Sequence, residues 1–324
     1  MLSLRIGGAL LLVGLSVLVA KAQDYPTRPV TIIVPFAAGG PTDVLARNLG
    51  STMSASFKQQ MIIENHSGAG GTIGTARAAK AQPDGYTILL MHVGIATAPA
   101  LYRHLPYDTI NDFEPIGRVA DVPMTLVANK RLPPSNLQDF LKYAKANKDK
   151  LTYGHAGSGS SSHLCGLLFM STIGMEFTTV PYKGNAPAMN DLLGGQIDFM
   201  CDQTTNTTQQ IRGGTVKVYG VTSKARVPSL PQLPTLDEEG LKGFEVVMWY
   251  GLWAPRGTPK PMRDKLGDAL QLAVQDETFN ARMADLGAVP APLTEASPDP
   301  LRGLLKSEIE SWGSIIRKAG IQPE

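Results

Sequence analysis

A chain of 324 residues, 43% hydrophobic and 18% charged, has material for two ordinary globular domains and is neither disordered nor fibrous. Beyond its first 22 residues it holds 28 basic and 28 acidic side chains, a balance that leaves no electrostatic footprint for nucleic acid or an anionic membrane. The opening stretch, MLSLRIGGALLLVGLSVLVAKAQ, sets Arg5 before an apolar run over residues 6–19 and closes on Ala20-Lys21-Ala22. This is the pattern of a secretory signal cut after Ala22. The run is shorter than the roughly 20 residues that a bilayer core requires, and no cysteine follows it to carry a lipid.

The mature chain then reads TIIVPF as a buried strand and residues 43–54 as a helix, with Thr42 or Asp43 as its N-cap. MIIEN is a strand, residues 72–81 a helix and DGYTILLMH a strand, a βαβα order that predicts an α/β domain with a largely parallel sheet. A second series follows: PMTLVANK, a helix over 136–145, LTYGH, a helix over 161–173, FTTVPY, a helix over 187–193, QIDFMCD and VKVYGVTS. Because it repeats the architecture of the first, two similar α/β lobes are expected. The proline-rich ARVPSLPQLPTLDEEG reads as an ordered surface connection. VVMWYGLWAP is again a strand, and the remaining two or three helices have no further strands to cover. They are therefore expected to pack back onto the first lobe, so that the chain crosses between lobes twice and forms a hinge. The lobes are assigned as residues 23–124 with 246–324, and 125–245. Trp249 and Trp253 fall near one crossing.

Four turns rich in glycine, serine or threonine stand at strand ends: FAAGGPTD, HSGAGGTIG, HAGSGSSSH and PYKGNAP. Ligands of open parallel sheets bind beyond the carboxyl ends of the strands, where helix starts present N–H groups and a favourable dipole to anions. A nucleotide is not the expected anion, because no lysine follows the first turn and Ile73 occupies the place of the third glycine in GxGxxG. A carboxylate suits such donors. Gly40 is expected to let backbone and ligand approach closely, and Lys183, the one basic residue in these turns, reads as a solvated cation at the rim. A hydrolase reading would use the serines of residues 158–162 with His155 or His163 and Asp202, but GSGSSS lacks the GxSxG spacing. The five histidines, 66, 92, 104, 155 and 163, show no metal-ligand spacing. Asp202 ends a strand, where it either caps the next turn, accepts from a ligand donor, or orients neighbouring donors. Cys165 and Cys201, the only cysteines, are expected to pair in an oxidising compartment, with two unpaired core thiols as the alternative.

The same stretches, in order, resemble the substrate-binding proteins of tripartite tricarboxylate transporters, the Bug family. The resemblance runs from YPTRPVTIIVPFAAGGPTD through GAGGTIGTARAAKAQPDGYT, LYRHLPYDTINDFEPI, YGHAGSGSSSHL and VPYKGNAPAMNDLLGGQIDFMCD to APRGTP, essentially the whole mature chain. It implies a periplasmic, two-lobed Venus flytrap of type II, a monomer without cofactor, metal or reaction of its own, that hands a small carboxylate (a di- or tricarboxylate, an aromatic acid or an acidic amino acid) to membrane permease subunits. It also implies that main-chain donors and waters grip one carboxylate between the two first-lobe turns. Those turns hold Phe36, Ala37, Ala38, Gly39, Gly40, Thr42 and Asp43, and Gly70, Gly71 and Thr72. The second lobe would close with Ser158, Ser160, Ser161, Tyr182, Gly184 and Asp202. An exported hydrolase and a solute sensor for a signalling partner are the competing classes.

Overall fold

The computed structural model describes residues 25–318 and 320–323; the expected signal segment and its cleavage site lie outside them. Among the described residues, ten strands join in one sheet, ordered β2-β1-β3-β9-β4-β7-β5-β6, with β8 and the short β10 (Val289–Pro290) also paired to β4. The first half of this order is one lobe. Strands β1 (Val30–Val34), β2 (Met61–Asn65) and β3 (Thr87–His92) pair in parallel, and β9 (Val247–Pro255) joins β3 antiparallel. Ile32, Ile33 and Val34 are all buried, as expected of a strand covered on both faces. One cover is helix α1 (Pro41–Phe57), whose Leu45, Leu49 and Met53 recur every four residues and are buried. The second lobe pairs β5 (Thr152–His155), β6 (Thr178–Pro181) and β7 (Phe199–Gln203) in parallel, and β8 (Val216–Val221) lies antiparallel on β4.

One strand belongs to both halves. Strand β4 (Phe113–Asn129) pairs with β9 as far as Pro123 and with β7 and β8 from Met124 onward. The return crossing runs beside it, fixed by Thr222 just after β8. Its hydroxyl accepts from the Met124 N–H (2.9 Å) and donates to the Val246 carbonyl (2.5 Å). Backbone bonds from Thr222 N to Met124 O and from Val246 N to Thr222 O, each 2.9 Å, complete this junction.

The C-terminal helices α8 (Lys260–Gln275) and α10 (Pro298–Lys318) cover the first lobe against α1, β4 and helix α3 (Gly94–Leu101), while α9 (Glu277–Asp285) also meets α1. The proline-rich connection buries Val227, Leu230 and Leu233 against Val221.

Three sequence readings need correction. Strand β4 begins ten residues before PMTLVANK, because Glu114, Arg118 and Asp121 interrupt the apolar pattern. They are accommodated by ion pairs, Arg118 with Asp121 and Glu295, and Glu114 with Arg263 at 2.9 Å. Helix α3 and helix α7 (Thr204–Arg212) were not expected at all. Helix α1 starts at Pro41 with Gly40 as an N-cap that has no side chain, so neither Thr42 nor Asp43 caps it.

Candidate functional site

The four turns face one another across the lobes, and glycines let them touch. Gly70 (φ 58°) lies against the backbone of the second-lobe turn, where a Cβ would fall 1.7 Å from the Ser158 carbonyl oxygen. Gly157 returns the contact, its Cβ position being 3.0 Å from Gly70 N. Tyr102 donates its phenol proton to the same Ser158 carbonyl at 2.6 Å. At the other lip Gly184 (φ 146°) meets Ala37, with a Cβ position 2.9 Å from both the nitrogen and the Cβ of Ala37. Gly40 does not make the closest approach. Its φ of −83° suits any residue, and its Cβ position stands 3.3 Å from Ala37 O and 3.7 Å from Ala186 N.

Between the lips is a cavity of about 10 Å³, close to the room of one water. Phe36, Pro41, Thr42 and His92 line it from the first lobe, and Ala156, Ser161, Asn185 and Gln203 from the second. Each of them stands at a strand end or a helix start. Pro41 and Thr42 open α1, Ser161 opens helix α5 (Ser161–Ile173), and Asn185 opens helix α6 (Asn185–Gly194). Gln203 ends β7 and is the N-cap of α7, and His92 ends β3 just before α3. The first N–H groups of a helix lack partners within it, so α1, α5, α6 and α7 bring positive dipole ends to one point.

Two hydrogen-bond chains back this wall. The first joins the lobes. Thr42 Oγ1 lies 3.1 Å from the Tyr250 hydroxyl, Tyr250 donates to Gln203 Oε1 at 2.8 Å, and Gln203 Nε2 donates to Ser161 Oγ at 2.9 Å. The second lies within the second lobe. Asp202 is fully buried and takes Asn185 Nδ2 on one oxygen, with the Gln203 N–H at 2.7 Å, and Asn206 Nδ2 on the other at 2.5 Å. Burial pushes its carboxyl up to about 7, and the three donors pull the other way. Asn185 Oδ1 accepts from Ser162 Oγ at 2.8 Å, which in turn accepts the Ala156 N–H at 2.9 Å. Asp202 thus sits behind Asn185 and orients donors.

The remaining residues hold the turns in shape. Burial opposes ionisation of Asp43, but Arg47 (2.8 and 3.0 Å), the Gly39 N–H (2.9 Å) and Asn65 (3.0 Å) outweigh it and keep the carboxyl below its ordinary range. Thr72 Oγ1 closes the second turn on Ala69 O at 2.9 Å, over a run in which Ala69, Gly70 and Gly71 all have positive φ. Ser160 caps α5 by accepting the His163 N–H at 3.2 Å. Tyr182 spends its hydroxyl on Asp191 at 2.7 Å, and Ala38, Gly39 and Lys183 are exposed. Cys165 and Cys201 form a disulfide with Cα atoms 6.0 Å apart, joining α5 to β7.

Of the residues singled out in the sequence, Phe36, Thr42 and Ser161 line the cavity itself. His92, Asn185 and Gln203 were missed, although strand-end position would have flagged His92 and Gln203. His92 accepts the Gly94 N–H on Nδ1 at 2.9 Å, and burial lowers its pKa to about 3, so the neutral ring carries its proton on Nε2. It stacks on Phe36 with ring centroids 4.9 Å apart. The serine-histidine-aspartate reading fails on its third member, because the donors around Asp202 are amides and none is a histidine. Among the described residues no cluster suited to a metal ion occurs.

The sequence pattern of the tripartite tricarboxylate transporter family receptor matches residues 45–321. A protein of Agrobacterium vitis, from the TAR-I ttuE-ttuC' intergenic region, is 50% identical over 303 residues, which are 93% of this chain and 88% of that protein. Among solved structures, the periplasmic binding protein BugD superposes with a TM-score of 0.91 at 53% identity, over 93% of this chain and all of that one. MatC of Rhodopseudomonas palustris, solved with bound malate, gives 0.86 at 40% identity over 90% of this chain and all of that one.

Proposed function

Because the chain belongs to the tripartite tricarboxylate transporter receptor family, a family of binding proteins and not of enzymes, we propose that it is a periplasmic receptor which captures a small di- or tricarboxylate and delivers it to the permease of such a transporter. One observation carries the ligand class: four helix starts, drawn from both lobes, converge on a cavity whose eight lining residues include no charged side chain. Backbone N–H groups and neutral donors grip an acid without the cost of burying an opposing charge. The malate bound by MatC is a ligand of this class. Residues 23–124 and 246–324 make one lobe and 125–245 the other, the signal is removed after Ala22, and the receptor acts as a monomer. The two first-lobe turns hold the acid, and the turns at Ser158–Ser161 and Tyr182–Gly184 close over it. At about 10 Å³ the closed cavity admits a four-carbon acid only after the lobes part, so binding proceeds through hinge opening.

The test is a thermal-shift screen of malate, citrate, longer dicarboxylates, aromatic acids and acidic amino acids, followed by calorimetry on the best of them. A true ligand at 100 times its Kd stabilises the fold by about 2.7 kcal/mol. If no acid shifts the melting transition, and native mass spectrometry of freshly exported protein shows only the bare chain, the reading fails.

A further inference from the structure

Tyr250 lines no part of the cavity, is fully buried, and touches three residues that do. Its hydroxyl lies 3.1 Å from Thr42 Oγ1 in the first lobe and 2.8 Å from Gln203 Oε1 in the second, and its ring meets His92 edge-on at 5.7 Å between centroids. It stands on β9, the strand that follows the return crossing. One side chain behind the cleft therefore governs groups of both lobes.

The chemistry of the chain sets its direction. A phenol is a stronger donor than an aliphatic hydroxyl, and an amide carbonyl is the best acceptor available, so Tyr250 gives its single proton to Gln203 Oε1 and receives the proton of Thr42. The Gln203 amide is thereby held with its nitrogen toward Ser161, and Ser161, having accepted that N–H at 2.9 Å, keeps its own proton for the cavity. Turned the other way, the amide would take the Ser161 proton and present the cleft with a lone pair in its place. A carboxylate has only lone pairs to offer and is repelled by that arrangement.

We propose that Tyr250 is a positioning residue for ligand binding, which orients the Gln203 amide so that Ser161 and Gln203 both face the cleft as donors and select a group that only accepts. The inference rests on the carboxylate-receptor reading and adds the residue that makes the second-lobe wall donor-only. The contact also couples that wall to closure, since Thr42 and Tyr250 come from one lobe and Gln203 and Ser161 from the other.

Calorimetric titration of malate into the parent, Tyr250→Phe, Gln203→Ala and the double variant tests it, with the best acid of the screen in place of malate if that is another. Tyr250→Phe removes one hydroxyl and leaves the ring, and is expected to lose about tenfold in affinity, the worth of one hydrogen bond. In the Gln203→Ala background it should cost nothing further, because a residue acting through another has no effect once that other is gone. Unchanged binding by Tyr250→Phe, or single losses that multiply in the double variant, would overturn the proposal. A readout without ligand separates this from the function itself: the side-chain amide protons of Gln203, identified by their loss in Gln203→Ala, should exchange slowly in the parent and fast in Tyr250→Phe. Equal exchange in the two proteins rejects the positioning role even if no acid binds. Slow exchange in the parent alone supports it even if the receptor reading falls.

Discussion

A methyl group on Gly70 would meet the Ser158 carbonyl oxygen at 1.7 Å, and because that oxygen is backbone, no side-chain rotation relieves the clash. Alanine can adopt a φ of 58° for about 1 kcal/mol, so Gly70→Ala should fold and yet prop the lobes apart. The expected result is a larger radius of gyration by small-angle scattering with saturating ligand, and an affinity at least about tenfold weaker as the closed fraction falls. Gly40→Ala should stay close to the parent in both measurements, since its nearest Cβ contacts are 3.3 Å and longer. A Gly70→Ala protein that closes like the parent would show that the lips are not the limit. The four turns were legible as strand-end loops from their glycines and serines. Which glycine meets the other lobe was not, because that depends on how two lobes of one chain face each other, a relation absent from local sequence. The same blindness hid Asn185, which reads as one more polar residue of the turn PYKGNAP until α6 is aimed across the cleft.

Helix α5 and strand β7 carry the second-lobe wall, Ser161 at the start of one and Gln203 at the end of the other, and the disulfide pins them just behind those groups. Closing a loop of 36 residues contributes about 4 kcal/mol in the chain-entropy account. Replacing both cysteines by serine should lower unfolding free energy by about that amount, as read from denaturant titration with the slope held constant. Two titratable thiols in the unfolded, unreduced parent would show that the bond is not made. The strands and most helices could be read from apolar period and turn residues. Helix α7 could not. Its TTNTTQQIR has no propensity to announce it, and its support is tertiary: Thr204 Oγ1 donates to Gly287 O at 3.0 Å, Thr208 Oγ1 to Leu286 O at 3.2 Å, and Arg212 pairs with Asp285 at 2.6 Å. These three side chains, four residues apart, lay α7 of one lobe along a single turn of the other.

Closure of the whole molecule should be visible to one tryptophan. Trp249 and Trp253 lie within β9 and are buried in the first lobe, whereas Trp312 of α10 shares a crevice with Leu164, Leu167 and Leu168 of α5. Hinge motion changes that crevice and leaves the interior of β9 as it is. Ligand-dependent emission should therefore vanish in Trp312→Phe and survive in Trp253→Phe; the reverse outcome would place the motion elsewhere. The two-lobed plan and its double crossing were foreseeable from the repeated βα series and from helices left without strands to cover. The length of β4 was not, because its charged residues hid the first half.

That shared strand also dictates an order of assembly. A chain delivered N-terminus first supplies every strand partner of β5, β6, β7 and β8 by Val221, so the second-lobe sheet can form early, although α7 must wait for its support at Asp285, Leu286 and Gly287. Strand β3, with Ile88, Leu89, Leu90 and Met91 all buried in the finished protein, must wait for Val247–Pro255 to cover its open edge. An uncovered apolar edge invites pairing with other chains. The last quarter of the sequence is therefore needed to cover β3: a product that stops short of β9 holds every strand of the second-lobe sheet but leaves an apolar edge open to pairing with other chains.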